Sequence, residues 1–245
     1  MHNYKYYIIS IIYMSDYQKV AEFNSAFDFP QYDDFSNKAT LKLRLDLIEE
    51  EIGELEEAYN NTDFIEEKDA CADILYVAYG MAWTYKVNSD EFLNYLIINA
   101  NLTLFQNIKK NLHIVQGRLQ LLQHIKGQFK KLTECCYSNN KEWVNALHNI
   151  IIYIYDFQIE SNYDSDKIFA IVHDSNMSKI CISESEAKET VEKYQKDFES
   201  GKSPYASPYY YPLGNGLFVV KNKCTGKALK SINYRQVNLS NLNLH

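Results

Sequence analysis

Residues 41–58 read LKLRLDLIEEEIGELEEA, and the spacing within them decides what kind of fold to expect. Leu41, Leu45, Ile48, Ile52 and Leu55 recur at three- and four-residue steps, which places them on one face of a helix and predicts a helix from Lys38 to Tyr59. The acids of the same stretch separate by the same geometry. Glu50 and Glu54 are four apart and Glu51 and Glu54 three apart, so these three share a face. Glu49, Glu56 and Glu57 are read as a solvated face.

Working outward, Asn60-Asn61-Thr62-Asp63 breaks the helix, with Asp63 or Thr62 as cap of the next one. That helix, from Ile65 to Tyr85, is apolar nearly all round after Asp73, as expected of a helix in the middle of a bundle. Further helices are predicted from Asp16 to Phe27 and over 89–111, 113–137, 140–158, 164–180 and 184–199. The expected fold is an all-α bundle of seven to eight helices spanning residues 1–200. Residues 201–245 are read as an irregular C-terminal arm packing on it, with LFVVKN and ALKSINY flanking Cys224-Thr225-Gly226-Lys227 as a small hairpin.

Composition narrows the function. Only eight glycines and four prolines in 245 residues suit long helices. A net charge of −7 argues against a broad nucleic-acid-binding surface. Five cysteines, odd in number and without a CxxC pair, suit a reduced compartment, and the cytoplasm is expected. The apolar run from Tyr6 to Met14 is too short to span a bilayer, and no small-residue cleavage site follows it, so no membrane partner is expected. Met14 offers an alternative start, which would make residues 1–13 an upstream extension.

The chain also repeats itself. DACADILYVAYG (69–80) and NALHNIIIYIYD (145–156) share an apolar pattern 76 positions apart, and VNSDEF (87–92) falls over YDSDKI (163–168) at the same offset. At 77 positions, Leu45, Ile48, Ile52, Leu55 and Ala58 fall over Leu122, Ile125, Phe129, Leu132 and Cys135. A duplicated helical unit is expected, 38–112 and 113–180. The second copy has lost its acids: Gly127, Gln128 and Lys131 stand at the places of Glu50, Glu51 and Glu54, and Asn145 and Asn149 at those of Asp69 and Asp73.

Helices joined by a short link lie antiparallel, so Glu50, Glu51 and Glu54 can face Asp69 and Asp73. Converging carboxylates repel, and a divalent cation relieves that repulsion. An all-oxygen ligand set without His or Cys suits Mg²⁺, with Mn²⁺ possible, and points to phosphoryl or nucleotidyl chemistry. Elsewhere, Asn176 and Lys179 share a helix face as an amide beside a cation, or form an ordinary polar helix end. Lys221, Lys223, Lys227, Lys230 and Arg235 form a basic stretch without an acid, either cover for a phosphate-filled site or a solvated arm. His173 is read as packing or capping rather than catalytic.

LRLDLIEEEIGELEEA followed by DACADILYVAYG resembles the all-α nucleoside triphosphate pyrophosphohydrolases, the MazG, dimeric dUTPase and phosphoribosyl-ATP pyrophosphohydrolase superfamily. The hallmark there is ExxE on one helix and ExxD on the next. Glu51-Ile-Gly-Glu54 matches the first part; the position three before Asp73 is Ala70, with Asp69 one residue earlier. VHDSNMSKI and the CTGKALKSINY tail resemble a branch carrying an SNMSK segment.

The resemblance implies a Mg²⁺-dependent enzyme that cleaves a (d)NTP to the monophosphate and pyrophosphate, in nucleotide-pool sanitation or dNTP control. Glu50, Glu51, Glu54 and Asp73 would hold metal, with Asp69 joining them, and one of the three glutamates would orient the attacking water. Asn176 and Lys179 would meet phosphate, as would Lys227 and Lys230 of the tail, and Phe23 and Asn24 are base-contact candidates beside the alternative of an ordinary amphipathic helix. The fused chain would then build one composite site, as a pseudo-dimeric monomer or as a homodimer. A non-catalytic relative that binds nucleotide or metal, and a helical interaction module with surface acids, are the competing readings.

Overall fold

The structure, a computed structural model, describes residues 14–99 and 117–242. Eight helices are formed among these residues: α1 (Asp16–Ala26), α2 (Lys38–Asn61), α3 (Phe64–Thr84), α4 (Ser89–Asn99), α5 (Arg118–Tyr137), α6 (Trp143–Glu160), α7 (Ser165–Met177) and α8 (Glu184–Glu199). One antiparallel hairpin follows, β1 (Pro208–Gly214) and β2 (Leu217–Asn222). The leader 1–13 and the stretch 100–116, which holds most of the expected extension of α4 and the start of α5, lie outside the described residues. No helix among the described residues is long and apolar enough to cross a membrane.

The chain divides into two compact units. Among the described residues the first comprises 14–24, 29–99, 117–169 and 239–242, the second 25–28 and 170–238. The division falls at 169/170 rather than at residue 200. The reason is the apolar face of α8: Ala187 joins Cys181, Val220 and Leu229 in a separate buried cluster, with Val191, Tyr194, Tyr210 and Phe218 packed on it. That face is used by the hairpin, so α8 belongs with the tail.

In the first unit α3 is the central helix, packed against α2 and α6, and α6 in turn packs on α5. Sequence dictates this placement, since Ala70, Cys71, Ala72, Ile74, Leu75, Ala78, Met81 and Ala82 are all nearly inaccessible and surround the helix. α2 buries the expected stripe, Leu41, Leu45, Ile48, Ile52, Leu55 and Ala58. Thr62 ends α2 in a left-handed conformation (φ 57°), and Asp63 opens α3 by accepting from the backbone N–H groups of Ile65 and Glu66. The two-residue link forces α2 and α3 side by side and antiparallel.

The hairpin of the second unit sits upstream of where the sequence reading placed it. Asn215 and Gly216 form a two-residue turn, both with positive φ (52° and 76°), between PYYYPLG and LFVVKN. This is the conformation that Asn-Gly favours in tight hairpins. ALKSINY forms no strand; it touches β2 through a single bridge, Ala228 to Lys221. Residues 25–28 join this unit because Tyr211 donates its hydroxyl to the Phe27 carbonyl (2.9 Å) and Lys221 Nζ reaches the Asp28 carbonyl (3.4 Å).

Candidate active site

The acids on the α2 face toward α3 are set in register by the buried stripe beside them. Ile48, Ile52 and Leu55 are in the core, which leaves Glu51 half-buried at the seam between the helices and Glu50 and Glu54 at its outer edge. On α3, Asp69 and Asp73 are half-buried in the same way. The charge acting most strongly on Glu51 is Asp73, followed by Glu54, Glu50 and Asp69. Asp69 responds to Glu66 and Glu54. Asp69 and Asp73 of α3 thus lie within electrostatic reach of the acids on α2.

Their surroundings disfavour so much negative charge. Burial first, and these neighbouring acids second, push the Glu51 carboxyl up to about 8. Burial with Glu66 and Glu54 pushes Asp69 up to about 6, and Glu54 is raised by burial and by Glu50, Glu66 and Glu57. Every charge that acts on these three is another acid. Oε2 of Glu51 and Oδ1 of Asp69 are buried without a hydrogen-bond partner, which is rare for carboxylate oxygens.

Orphaned oxygens, like charge and an all-carboxylate donor set fit a hard divalent cation. Among the described residues no three His, Cys, Asp or Glu side chains converge closely enough to enclose a metal ion as they stand. A bound cation would have to draw the carboxylates together, which the exposed positions of Glu50 and Glu54 allow.

One participant escaped the sequence reading. Glu66 couples to both Glu54 and Asp69. Its signal was present, since Glu66-Glu67-Lys68-Asp69 has the ExxD spacing one turn before Asp73. Arg44, two turns before Glu51 on α2, is a separate half-buried feature of the same helix. Its Nε is buried without a partner, and burial lowers its guanidinium to about 10. Arg44 lies against Gly80, where a Cβ would stand 3.1 Å from Nη1 and 3.9 Å from Nδ2 of Asn24.

The remaining candidates fall as follows. Phe23 and Asn24 are buried, 8% and 2% exposed; Phe23 meets Tyr76 edge-on (5.5 Å) and Asn24 donates to the Val20 carbonyl (2.8 Å). Glu49 and Glu57 are exposed as expected, but Glu56 pairs with Lys126 of α5 at 2.7 Å. In the second unit Lys179 Nζ donates to Asn176 Oδ1 (2.5 Å). The tail there is no solvated arm: Ser175 Oγ bonds the Tyr234 hydroxyl (3.0 Å) and the Arg235 carbonyl (2.8 Å), and Arg235 N donates to Ser178 Oγ (2.9 Å). Lys227 lies over Tyr205 and Lys230 over Tyr234, at 5.6 and 4.4 Å from the ring centres. SNMSK and the tail are thus stitched to each other. His173 is buried, as a packing residue should be.

Comparison with known proteins agrees with this geometry. The family described as phosphoribosyl-ATP pyrophosphohydrolase matches residues 20–97, the segment that holds every acid named above. The chain is also 35% identical to "Uncharacterized protein L479" of Acanthamoeba polyphaga mimivirus, over 93% of this chain and 95% of that protein. No solved structure matches it. With ExxE on α2, acids facing it from α3 and an all-helical scaffold beneath both, the chain carries a phosphoribosyl-ATP pyrophosphohydrolase domain and belongs to the MazG-like all-α pyrophosphohydrolases, hydrolases acting on acid anhydrides.

Proposed function

We propose that the chain is a Mg²⁺-dependent nucleoside triphosphate pyrophosphohydrolase that converts a (d)NTP to the (d)NMP and pyrophosphate in the cytoplasm, with Mn²⁺ as an alternative ion. The observation that carries this is the buried, partnerless Oε2 of Glu51 in a seam where every acting charge is negative. Glu50, Glu51, Glu54, Asp69 and Asp73 would hold the cation. When bound it would neutralise the polyphosphate and polarise phosphorus. The carboxylates' own part is to orient a water and accept its proton as its oxygen bonds to the α-phosphorus and the bond to the pyrophosphate oxygen breaks. The apolar wall of α2 and α3 fixes where that water stands. Asn176, Lys179, Lys227 and Lys230 enter the proposal as phosphate contacts, and Phe23 and Asn24 as base contacts.

A second reading, a relative that binds nucleotide or metal without turnover, is favoured by Ala70 at the position three before Asp73. One assay separates the two. NTPs, dNTPs and phosphoribosyl-ATP are incubated with the protein and Mg²⁺, and pyrophosphate and orthophosphate are measured, with Glu54→Gln in parallel. Pyrophosphate from at least one nucleotide, lost in Glu54→Gln, is the expected result. None from any substrate would leave the binding-only reading; orthophosphate would mean that the wrong bond was assigned. Lys179→Ala should lower turnover at least tenfold, and an unimpaired variant would remove Lys179 from the phosphate contacts.

A further inference from the structure

The offsets noticed in the sequence recur in the backbone. Thr62 and Asn139, 77 apart, both take left-handed conformations after α2 and α5 (φ 57° and 54°). Lys86 and Asn162, 76 apart, do so after α3 and α6 (φ 56° for each). The closing hydrogen bonds match: Asp63 N to Ala58 O (2.9 Å) against Asn140 N to Cys135 O (2.8 Å), and Val87 N to Ala82 O (2.9 Å) against Tyr163 N to Gln158 O (2.8 Å). α4 starts at Ser89 and α7 at Ser165, again 76 apart. Where α3 crosses α6, the hydroxyls of Tyr79 and Tyr155 meet at 2.9 Å, and these two are each other's counterparts at offset 76. A residue meeting its own counterpart is the mark of a two-fold axis.

The side chains at the acidic seam do not match, and they differ in one consistent direction. The counterparts of Glu51 and Asp73 are Gln128 and Asn149, and Asn149 Nδ2 donates to Gln128 Oε1 at 3.2 Å. The counterparts of Glu54 and Glu66 are Lys131 and Glu142, an ion pair at 3.7 Å. The counterparts of Asp69 and Glu66 are Asn145 and Glu142, and Asn145 Nδ2 donates to Glu142 Oε2 at 3.3 Å. These three repulsive pairings of the first pair of helices have become attractive ones in the second.

We propose that α5–α6 is a disarmed copy of the α2–α3 cation site, built on the same backbone about a pseudo-two-fold axis through Tyr79 and Tyr155, with its ligands rewritten so that they satisfy one another. Cation binding is thereby confined to one helix pair per chain. The copy still holds the frame of a site for a hard divalent ion, and restoring its carboxylates re-creates that site. This rests on the reading of Glu50, Glu51, Glu54, Asp69 and Asp73 as metal ligands.

The test is a count of Mn²⁺ bound per chain by calorimetry on three full-length proteins. Wild type should bind one set of equivalents. The re-armed variant, Gln128→Glu with Lys131→Glu, Asn145→Asp and Asn149→Asp, should bind twice as many. The reverse variant, Glu51→Gln with Glu54→Lys, Asp69→Asn and Asp73→Asn, should bind none and melt at a higher temperature than metal-free wild type. A re-armed protein with native far-ultraviolet circular dichroism and only the wild-type count overturns the disarmed copy while leaving the first site standing. Wild type that binds no Mn²⁺ overturns both. If four added acids prevent folding, Gln128→Glu with Asn149→Asp carries the test: Mn²⁺ must raise its melting temperature further than it raises that of wild type, and an equal shift refutes the proposal.

Discussion

Glu51 offers the sharpest check on the view that the seam is electrostatically strained. Replacing it by glutamine keeps the shape and removes the charge, and glutamine is already accommodated at the matching position 128. Burial and the acids around it push the folded carboxyl up to about 8 from an ordinary 4.5. A raised acid gives stability that is fully present below the ordinary value and is lost as pH rises through the folded one. Between pH 4.5 and 7 the loss accumulates over about 2.5 units at about 1.4 kcal/mol each, or roughly 3.5 kcal/mol. Glu51 is only half-buried, and solvent screening reduces this to about 1–3 kcal/mol.

For a chain of this size that is roughly 2–10 °C in melting temperature. Glu51→Gln should therefore melt above wild type in EDTA at pH 8 and converge with it near pH 4.5. Saturating Mg²⁺ or Mn²⁺ should reverse the order. A ligand at about 100 times its Kd stabilises wild type by about 2.7 kcal/mol, and the variant forgoes most of that. A variant that melts below wild type at pH 8 without metal would refute the strain argument, because it would mean that Glu51 is satisfied as it stands.

Other positions follow the same physics. Arg44→Leu, which copies Leu121 at offset 77, removes a guanidinium whose Nε is buried without a partner and should raise stability by roughly 1 kcal/mol in a metal-free urea melt; a loss would show that the packing of its stem outweighs the charge. Tyr155→Phe takes a hydrogen bond from Asp16 (2.9 Å) and from Tyr79 at once and should lower stability by roughly 1–3 kcal/mol, measured by thermal melting. His148 is buried with Nδ1 at 2.8 Å from the Val144 carbonyl, so Nδ1 carries the proton and Nε2 accepts from Ser89. Burial holds it down to about 4, so its contribution is full above about 6.5 and is lost as pH falls through 4. Acid melts of wild type should be steeper in that window than those of His148→Gln, and parallel curves would count against the buried neutral ring.

What the sequence disclosed, and what it hid, divides by distance along the chain. The helices and the seam were legible because their signals are local: a stripe at helical spacing, Asp63 capping the residues after it, acids three and four apart. The buried charge on α3 was not. Glu67 and Lys68 sit in a stretch that reads as polar helix start, yet Glu67 is 0% exposed and accepts from Arg118 and Tyr163, each at 2.6 Å. Its partners lie 51 and 96 positions away, and nothing near Glu67 announces them. The hairpin was expected, but one strand too far along the chain, for a different reason. Asn215-Gly216 is a strong local turn signal, but the prolines around PYYYPLG masked a strand that tolerates Pro212 only because the register shifts there, between Pro212 and Gly214.

A fold can keep such a seam only if something else holds the helices together. Leu41, Ile48 and Leu55 of α2 are 0% exposed, and Leu45, Ile52 and Ala58 are 5% or less. Burying each large side chain contributes about 1.5–3 kcal/mol, so the stripe supplies roughly 10 kcal/mol against the few that the acids cost. The apolar face wins by a margin large enough to hold like charges side by side. The same margin explains why α5–α6 can carry either kind of seam: with Leu122, Ile125 and Leu132 buried in the matching places, neither acids nor amides are needed for the helices to pair. The choice of side chain at the seam is thus released from the demands of folding. On α2–α3, where the chain keeps the arrangement that is worse for its own stability, the natural reason to keep it is a ligand of opposite charge.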